Sequence, residues 1–322
     1  MLAAICRRYG PPETVEVGDY PDPVAAPGDV LVAVRSAAVN YPDVLSLADA
    51  YQRSTPLPYV PGSEFAGVVV SGGDGVGLGP GERVYGTVPN GAFAEYVALP
   101  VDRVQRIPDG VGFDAAAGFG VAYTTGYHAL STAYRVQPGD WVVVLGAAGG
   151  VGLATLDLAR HLGARVIAAA AGEDKLALCR ERGAAATIDY RTEDLRQRIK
   201  DFTGDGAHAV IDPVGGPSSE PALRALRRGG TFVTVGYASG EIPAIPLNLV
   251  LLKGITITSI DIGTMSVHQP AADAEGRAAL HEMFAGGALE PYVQQVYSLS
   301  ECAAALRHVA DRKALGKVIV RP

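Results

Sequence analysis

The sequence has few cysteines, and none of them lies in a pattern that binds metal or builds a disulfide framework. Its three cysteines, Cys6, Cys179 and Cys302, are far apart and lack C-x-x-C spacing. Disulfide-stabilised domains and zinc knuckles need clustered cysteines, so neither is indicated. The apolar run in residues 1–8 is too short for a signal peptide, and no other run reaches the length of a membrane span. We therefore expect a cytoplasmic protein without membrane insertion.

The chain also lacks a concentration of positive charge. Its 27 lysines and arginines are scattered among 34 aspartates and glutamates, which gives a formal net charge of −7. Nucleic acids and anionic membranes are bound through basic stripes or patches, so neither is expected as a main partner.

What the chain does have is enough apolar residues for two domains. It contains 322 residues, 48% of them hydrophobic, and its 40 glycines and 22 prolines are spread through the sequence. This composition is typical of a compact α/β protein with many tight connections.

A glycine-rich turn follows an apolar strand near the middle of the chain. Residues 141–145 predict a buried strand, residues 150–161 a helix and residues 165–170 a second strand. The intervening turn fits G-x-G-x-x-G with alanine first, as Ala147-x-Gly149-x-x-Gly152. Backbone amides at such a helix start bind a pyrophosphate, which predicts a dinucleotide site. The candidate residues are Ala148, Gly149, Gly150, Val151 and Gly152; the alternative is an ordinary turn without a ligand.

The pattern of secondary structure changes near residue 122. Before it, short strands between proline and glycine turns predict a mostly β domain, with strands at 29–34, 64–70, 82–86 and 92–97. After it, strands alternate with helices, which predicts a doubly wound parallel six-stranded sheet with strands at 141–145, 165–170, 187–189, 207–211, 231–235 and 255–260. Helices near 272–285 and 300–310 and a strand at 317–320 follow.

Several motifs in a fixed order resemble the medium-chain dehydrogenase/reductase superfamily, and within it the zinc-free quinone oxidoreductase branch that includes zeta-crystallin. The motifs are Asn40–Asp43, Pro61–Gly67, Gly81–Val84, Tyr123–His128, Ala147–Gly152, Asp212–Gly216 and Gly316–Val318. The resemblance implies an α/β fold with a GroES-like, mostly β catalytic domain over residues 1–121 and 262–322. A Rossmann domain over residues 122–261 is inserted between these two segments.

The same resemblance bears on zinc. Zinc-dependent relatives place a cysteine and a histidine where this chain has Asn40 and Ser63, and neither is a plausible replacement ligand. The four clustered cysteines of a structural zinc lobe are missing, and the six histidines are dispersed without ligand spacing. We therefore expect no metal site.

The second Rossmann strand indicates which dinucleotide is used. It ends in Ala169–Ala171, without the carboxylate that accepts hydrogen bonds from the adenosine ribose of NAD. Space remains for the 2′-phosphate of NADPH, and the ammonium group of Lys175 can bind that phosphate. The alternative for Lys175 is a solvated helix lysine, and the neighbouring Glu173 and Asp174 oppose a phosphate. The resemblance adds Tyr190 and Lys317 beside the 2′-phosphate, and it places Thr125, Gly215, Gly236, Tyr237 and Ser239 along the cofactor.

Asn40 and Tyr51 are the catalytic candidates, because their spacing matches residues that line the substrate cleft in the family. A hydrogen-bond donor is enough to stabilise charge that develops on a reduced quinone. For Tyr51 the alternative is a half-buried core aromatic. We expect Asp43 to anchor the short helix after Pro42, and Ser63–Glu64 to be structural.

These observations predict an NADPH-dependent quinone oxidoreductase that transfers hydride without a metal to a small quinone or enone. A 2-enoyl thioester reductase and a non-catalytic NADPH-binding protein are the alternatives. The strand at Ile255–Ile260 is rich in β-branched residues and would be an exposed edge unless a second subunit covers it, so we expect a homodimer through this strand.

Overall fold

The computed structural model describes residues 1–73 and 77–322, which form a mixed α/β protein. The strands in these ranges are β1 (Leu2–Cys6), β2 (Val15–Asp19), β3 (Asp29–Val39), β4 (Glu64–Gly72), β5 (Arg83–Thr87), β6 (Tyr96–Pro100), β7 (Val104–Arg106), β8 (Trp141–Leu145), β9 (Arg165–Ala170), β10 (Ala186–Asp189), β11 (Ala207–Asp212), β12 (Leu226–Thr234), β13 (Thr256–Ser259), β14 (Val293–Ser298) and β15 (Lys317–Arg321).

The α-helices in the same ranges are α1 (Tyr41–Leu47), α2 (Phe113–Ala117), α3 (Gly120–His128), α4 (Gly150–His161), α5 (Glu173–Glu181), α6 (Leu195–Thr203), α7 (Ser219–Arg224), α8 (Leu247–Lys253), α9 (Ile262–His268), α10 (Pro270–Ala285) and α11 (Cys302–Ala310). Within the described part of the chain, no helix is both long enough and apolar enough to span a bilayer.

The described residues divide into two compact units, Met1–Val121 with Glu290–Pro322, and Ala122–Leu289. The chain passes from the first unit to the second after Val121. It returns at Glu290 and not at residue 262, because α9 and α10 belong to the second unit. Within that unit Gly276 of α10 lies against His128, so closely that a Cβ on Gly276 would be 2.7 Å from the imidazole Cε1.

The first unit is built on a seven-stranded sheet. Its strands follow the order β14-β15-β3-β4-β5-β7, and β6 pairs with β3. The β14–β15 pair is parallel, whereas β3 is antiparallel to its neighbours. A separate hairpin of β1 and β2 was not predicted. Alternating apolar side chains of β3 and β4 pack with α11 into one core.

The second unit contains the predicted doubly wound sheet. Its six strands are all parallel, in the order β10-β9-β8-β11-β12-β13. Numbered within the unit, this is the order 3-2-1-4-5-6 of a Rossmann domain. The inner strands are apolar on both faces because helices cover both, as the four buried residues Val142–Leu145 show. Such sheets bind ligands at the carboxyl ends of their strands.

Candidate functional site

The glycine-rich turn joins β8 to α4 at the carboxyl edge of the sheet. Gly146 has a φ of 58° and begins the turn, one residue before the alanine that the sequence motif places first. The amide of Ala147 donates to the carbonyl of Ala169 at 3.1 Å, so the turn is hydrogen-bonded to the neighbouring strand. At Gly152 a Cβ would lie 2.3 Å from the oxygen of Gly146, and only glycine fits there.

A second glycine of the turn leaves open space. At Gly149, the N-cap of α4, the nearest atom to an ideal Cβ is the oxygen of Gly146 at 3.4 Å. The amides of Gly150, Val151 and Gly152 follow in the first helical turn, where backbone N–H groups have no acceptor within the helix. The side chain of Ala148 is buried beneath the turn. These features fit a diphosphate, since its oxygens can approach the backbone where side chains are missing.

Two of the candidate cofactor residues follow the neighbouring strands β9 and β10. These strands are parallel, and Asp189 at the end of β10 pairs in register with Ala170 at the end of β9. Lys175 lies in the first turn of α5, and Tyr190 directly follows β10; both side chains are half-buried. The end of β9 has no carboxylate, as the sequence predicts.

The loops after β11 and β12 pack against each other and bring together the predicted residues Gly215, Gly236, Tyr237 and Ser239. The amide of Ser239 donates to the carbonyl of Val214 at 2.8 Å, and the amide of Gly216 donates to the carbonyl of Glu241 at 2.9 Å. A Cβ on Gly215 would lie 2.8 Å from that same carbonyl oxygen and from Tyr237 Cδ1. This close approach explains the glycine.

Asp212 holds the first of these loops in place, and the sequence analysis did not assign it a role. Its Oδ1 accepts hydrogen bonds from the amides of Val214 and Gly215, each at 2.8 Å, and its Oδ2 accepts one from Ser219 Oγ at 2.6 Å. Burial raises the pKa of Asp212, although the three hydrogen bonds oppose that shift. The sequence signal that could have identified this contact is a carboxylate at the end of a strand followed by P-V-G-G.

Thr125 is buried on α3, in the second unit. Next to it, Gly126 allows α3 to approach α4: a Cβ there would lie 3.0 Å from Thr155 Oγ1. A buried Asp157 also joins these helices to the rest of the unit, since it accepts hydrogen bonds from Tyr123 Oη at 2.8 Å and from Arg182 Nη2 at 2.5 Å. The helix that carries Thr125 is therefore packed closely against α4.

In the first unit, Asn40 belongs to a buried polar cluster that sequence reasoning missed. Its Nδ2 donates to Glu64 Oε1 at 2.9 Å and to Ser63 Oγ at 3.3 Å, while its Oδ1 accepts from Lys317 Nζ at 2.7 Å. Lys317 also donates to Glu64 Oε1 at 2.7 Å, and the side chains of this ion pair are 4% and 1% exposed. Asp43 anchors α1 as expected, because its Oδ2 accepts from the Asn40 amide at 2.7 Å.

This cluster gives two predicted site residues, Asn40 and Lys317, partners inside the protein. Both ends of the Asn40 side chain have partners inside the protein, so Asn40 bridges Glu64 and Lys317. The Lys317 ammonium donates hydrogen bonds to Asn40 Oδ1, to Glu64 Oε1 and, at 3.5 Å, to the carbonyl oxygen of Val39. These contacts argue against its binding the 2′-phosphate of a cofactor. Tyr51, the other catalytic candidate, is half-buried in the loop after α1.

Known proteins are similar to this chain in both sequence and fold. The chain is 36% identical over 323 residues to the Quinone oxidoreductase-like protein 2 homolog of Nematostella vectensis, an alignment that covers 99% of this chain and 88% of that protein. The chain belongs to the quinone oxidoreductase-like branch of the medium-chain dehydrogenase/reductase superfamily. Family models for an alcohol dehydrogenase GroES-like domain and a zinc-binding dehydrogenase match residues 26–109 and 150–275 of this quinone oxidoreductase-like chain.

Two further comparisons extend the family. The crystal structures of the quinone oxidoreductase from Thermus thermophilus and its complex with NADPH share the fold, with a TM-score of 0.88, 33% identity and full coverage of both chains. The quinone oxidoreductase-like chain is also 31% identical, over 98% of its length, to a segment that makes up 15% of a Mycocerosic acid synthase-like polyketide synthase of Mycobacterium tuberculosis.

The zinc implied by the description of one family model does not fit the donor atoms of this quinone oxidoreductase-like chain. In residues 1–73 and 77–322 no three histidine, cysteine, aspartate or glutamate side chains are grouped so that they could hold a metal ion. Where the resemblance places the cysteine and histidine ligands of zinc-dependent relatives, this chain has the Asn40 amide and the Ser63 hydroxyl. The Lys317 ammonium, 2.7 Å from both Asn40 Oδ1 and Glu64 Oε1, would repel a divalent cation there.

Proposed function

We propose that this protein is an NADPH-dependent quinone oxidoreductase that transfers hydride without a metal. The observation that carries the proposal is the Gly146–Gly152 turn, open at Gly149, beside a strand β9 that ends without a carboxylate. The first feature suits a pyrophosphate, and the second leaves space for a 2′-phosphate on the adenosine ribose. The NADPH complex of the Thermus protein supports the same cofactor.

Each cofactor residue has a role in this proposal. The amides of Gly150, Val151 and Gly152 bind the pyrophosphate at the positive end of α4. Lys175 and Tyr190 bind the 2′-phosphate, while Thr125 and the loop residues Gly215, Gly236, Tyr237 and Ser239 line the rest of the cofactor. When bound, NADPH supplies the hydride, and the protein contributes position and exclusion of water.

For the acceptor, Tyr51 is the donor we propose. Its phenol can donate a hydrogen bond to a carbonyl oxygen on which negative charge develops, and solvent can protonate the reduced quinone oxygens. Asn40 acts indirectly, because the Lys317–Glu64 pair holds its amide. The substrate class is a small quinone or a related enone.

NADPH oxidation with a panel of acceptors tests this function. We expect turnover with 1,4-benzoquinone and 9,10-phenanthrenequinone and little with crotonyl-CoA. Tyr51→Phe should lower kcat/KM for the quinones by roughly one order of magnitude, the effect of losing one net hydrogen bond of about 1.4 kcal/mol where solvent can partly replace the donor. Binding of NADPH without turnover of any acceptor would instead indicate a non-catalytic NADPH-binding protein.

A 2-enoyl thioester reductase is the second candidate. It is favoured by the likeness to a segment of a polyketide synthase that is named for the synthesis of a carboxylic acid. In that reaction the tyrosine would protonate the carbon next to the thioester carbonyl. Activity on crotonyl-CoA alone would replace the first proposal by this one.

The cofactor preference has its own test. Lys175→Ala should raise the KM for NADPH by about tenfold and leave the KM for NADH unchanged, because only NADPH carries the charge that the ammonium binds. Equal effects on both dinucleotides would contradict the role of Lys175.

We also propose that two copies of the chain form a dimer through the edge strand β13.

A further inference from the structure

Arg191 lies at the carboxyl edge of the parallel sheet, directly after β10 and Tyr190. Its guanidinium contacts the carboxylate of Asp189 through Nε and Nη2, each at 3.5 Å, and its side chain is 60% exposed. These contacts are long for an arginine–carboxylate pair, in which charged hydrogen bonds usually measure about 2.7–2.9 Å. The guanidinium is therefore held loosely.

The backbone after β9 makes room for this guanidinium. Gly172 precedes α5 with a φ of 97°, and a Cβ there would lie 2.8 Å from Arg191 Nη2. Any larger residue would push the guanidinium away from the start of α5. Lys175 lies in the first turn of that helix, so two cationic side chains belong to the same edge of the sheet.

Asp189 remains satisfied if the guanidinium leaves it. Its Oδ2 accepts from the amide of Gly172 at 3.2 Å, and its Oδ1 accepts from the amide of Arg191 at 3.0 Å. Desolvation raises the pKa of Asp189, but its hydrogen bonds to Arg191 and Gly172 outweigh this effect and keep the pKa below its usual value. When the guanidinium turns away, the carboxylate keeps its hydrogen bonds to the backbone amides of Gly172 and Arg191.

Two other carboxylates near this edge, Glu173 and Glu193, have partners of their own, whereas Asp174 in the first turn of α5 still opposes a phosphate. Glu173 at the start of α5 forms an ion pair with Arg180. Glu193 accepts from Arg198 Nε at 2.7 Å and from the amide of Asp189 at 2.9 Å. Their negative charge is offset locally, so it opposes an incoming phosphate less than the sequence alone indicates.

We propose that Arg191 determines cofactor specificity by turning from Asp189 to the 2′-phosphate of the adenosine ribose. This inference rests on the proposed use of NADPH. The planar guanidinium forms two parallel hydrogen bonds to phosphate oxygens, a geometry that the Lys175 ammonium cannot supply. NADH has no group there, and its binding leaves the Asp189 contact in place.

Binding of adenosine 2′,5′-bisphosphate and of 5′-AMP to the full-length protein, followed by calorimetry, tests the proposal without any turnover. Arg191→Gln should weaken binding of the bisphosphate by about tenfold or more and leave that of 5′-AMP unchanged. Arg191→Lys should cause a smaller loss, because it keeps the charge without the fork. Arg228→Gln, at an exposed arginine of β12, makes the same change in net charge and should alter neither affinity.

The outcomes separate this inference from the proposed function. If the unmodified protein does not distinguish the bisphosphate from 5′-AMP, the use of NADPH itself is refuted. If it does distinguish them and Arg191→Gln still binds the bisphosphate as tightly, only the role of Arg191 is refuted. Equal weakening of both ligands would mean that the substitution perturbs the pocket in general, which also contradicts a specific phosphate contact.

Discussion

The ion pair between Lys317 and Glu64 connects β15 to β4 inside the first unit. We expect Lys317→Met to lower the free energy of unfolding by about 3–5 kcal/mol, since it leaves the Glu64 carboxylate buried without its cation. Guanidinium chloride denaturation measures the change. The double variant with Glu64→Gln removes the orphaned charge and should recover part of the loss. A single variant as stable as the unmodified protein would show that the pair contributes nothing.

A second residue of this cluster should make stability depend on pH. Burial raises the pKa of Asp43 from 3.8 to about 7, with Glu64 adding to the shift and Lys317 and the Asn40 hydrogen bond opposing it. Between these two values the folded protein binds more protons than the unfolded chain, so stability falls as pH rises through this window and levels off above about pH 7. Each unit by which the pKa of Asp43 differs between the folded and unfolded states corresponds to about 1.4 kcal/mol in the free energy of unfolding.

Asp43→Asn isolates this effect, because an amide can still accept the hydrogen bond from Asn40 but does not titrate. We expect the free energy of unfolding of the unmodified protein, measured relative to Asp43→Asn, to decrease by a few kcal/mol from about pH 4 to about pH 8. A constant difference between the two proteins across this range would mean that Asp43 is ionised throughout.

The sequence could identify Asn40 as important, but not what it contacts. Its partners Glu64 and Lys317 are 24 and 277 residues away in the chain. Local pattern carries no information on such distant pairings, so the sequence predicts neither contact. Asp43 was predicted correctly because its partner is only three residues away.

At the scale of secondary structure elements, the turn between β8 and α4 separates packing from binding. Gly152→Ala would place a Cβ 2.3 Å from the Gly146 oxygen, so we expect it to displace the start of α4 and destabilise the fold by about 1–3 kcal/mol. Gly149→Ala has its nearest neighbour at 3.4 Å and should fold normally.

The two variants should differ in their response to NADPH. Gly149→Ala should keep its melting temperature without ligand but lose most of the stabilisation that NADPH gives, because a methyl group would enter the space for the pyrophosphate. Thermal unfolding with and without NADPH measures both effects. Unchanged stabilisation in Gly149→Ala would contradict the assignment of this turn to the pyrophosphate.

The elements that the sequence predicted best are those with a strong local signal. The apolar run of β8 was placed at its observed bounds, and all six strands of the parallel sheet were found. The strands β1, β2, β7 and β14 were not predicted, and the strand expected at 92–97 lies at Tyr96–Pro100. β14 alternates poorly, since most of its residues are polar or exposed, and its pairing with β15 fixes it more than its own composition does.

At the scale of the whole molecule, the sequence predicted two units but misplaced one boundary. The resemblance ended the Rossmann unit after its sixth strand, whereas α9 and α10 also belong to it. Small side chains make this attachment possible, as the approach of Gly276 to His128 shows. Helical periodicity indicates that a helix has an apolar face, but not which of two cores will cover it.

The exposed apolar surface of the second unit supports the proposed dimer. Among the strands of residues 1–73 and 77–322, β13 pairs with β12 alone and is therefore an edge of the sheet; Ile257 on it is 41% exposed. Leu251 on α8, the helix that precedes β13 in the chain, is 82% exposed. We expect Ile257→Lys to convert a dimer to a monomer in light scattering, because strand pairing would bury an unpaired ammonium. Val24→Lys, at an exposed loop residue of the first unit, should leave the dimer intact. A monomeric unmodified protein would refute the dimer. A dimeric Ile257→Lys variant would show that the dimer interface lies on another surface.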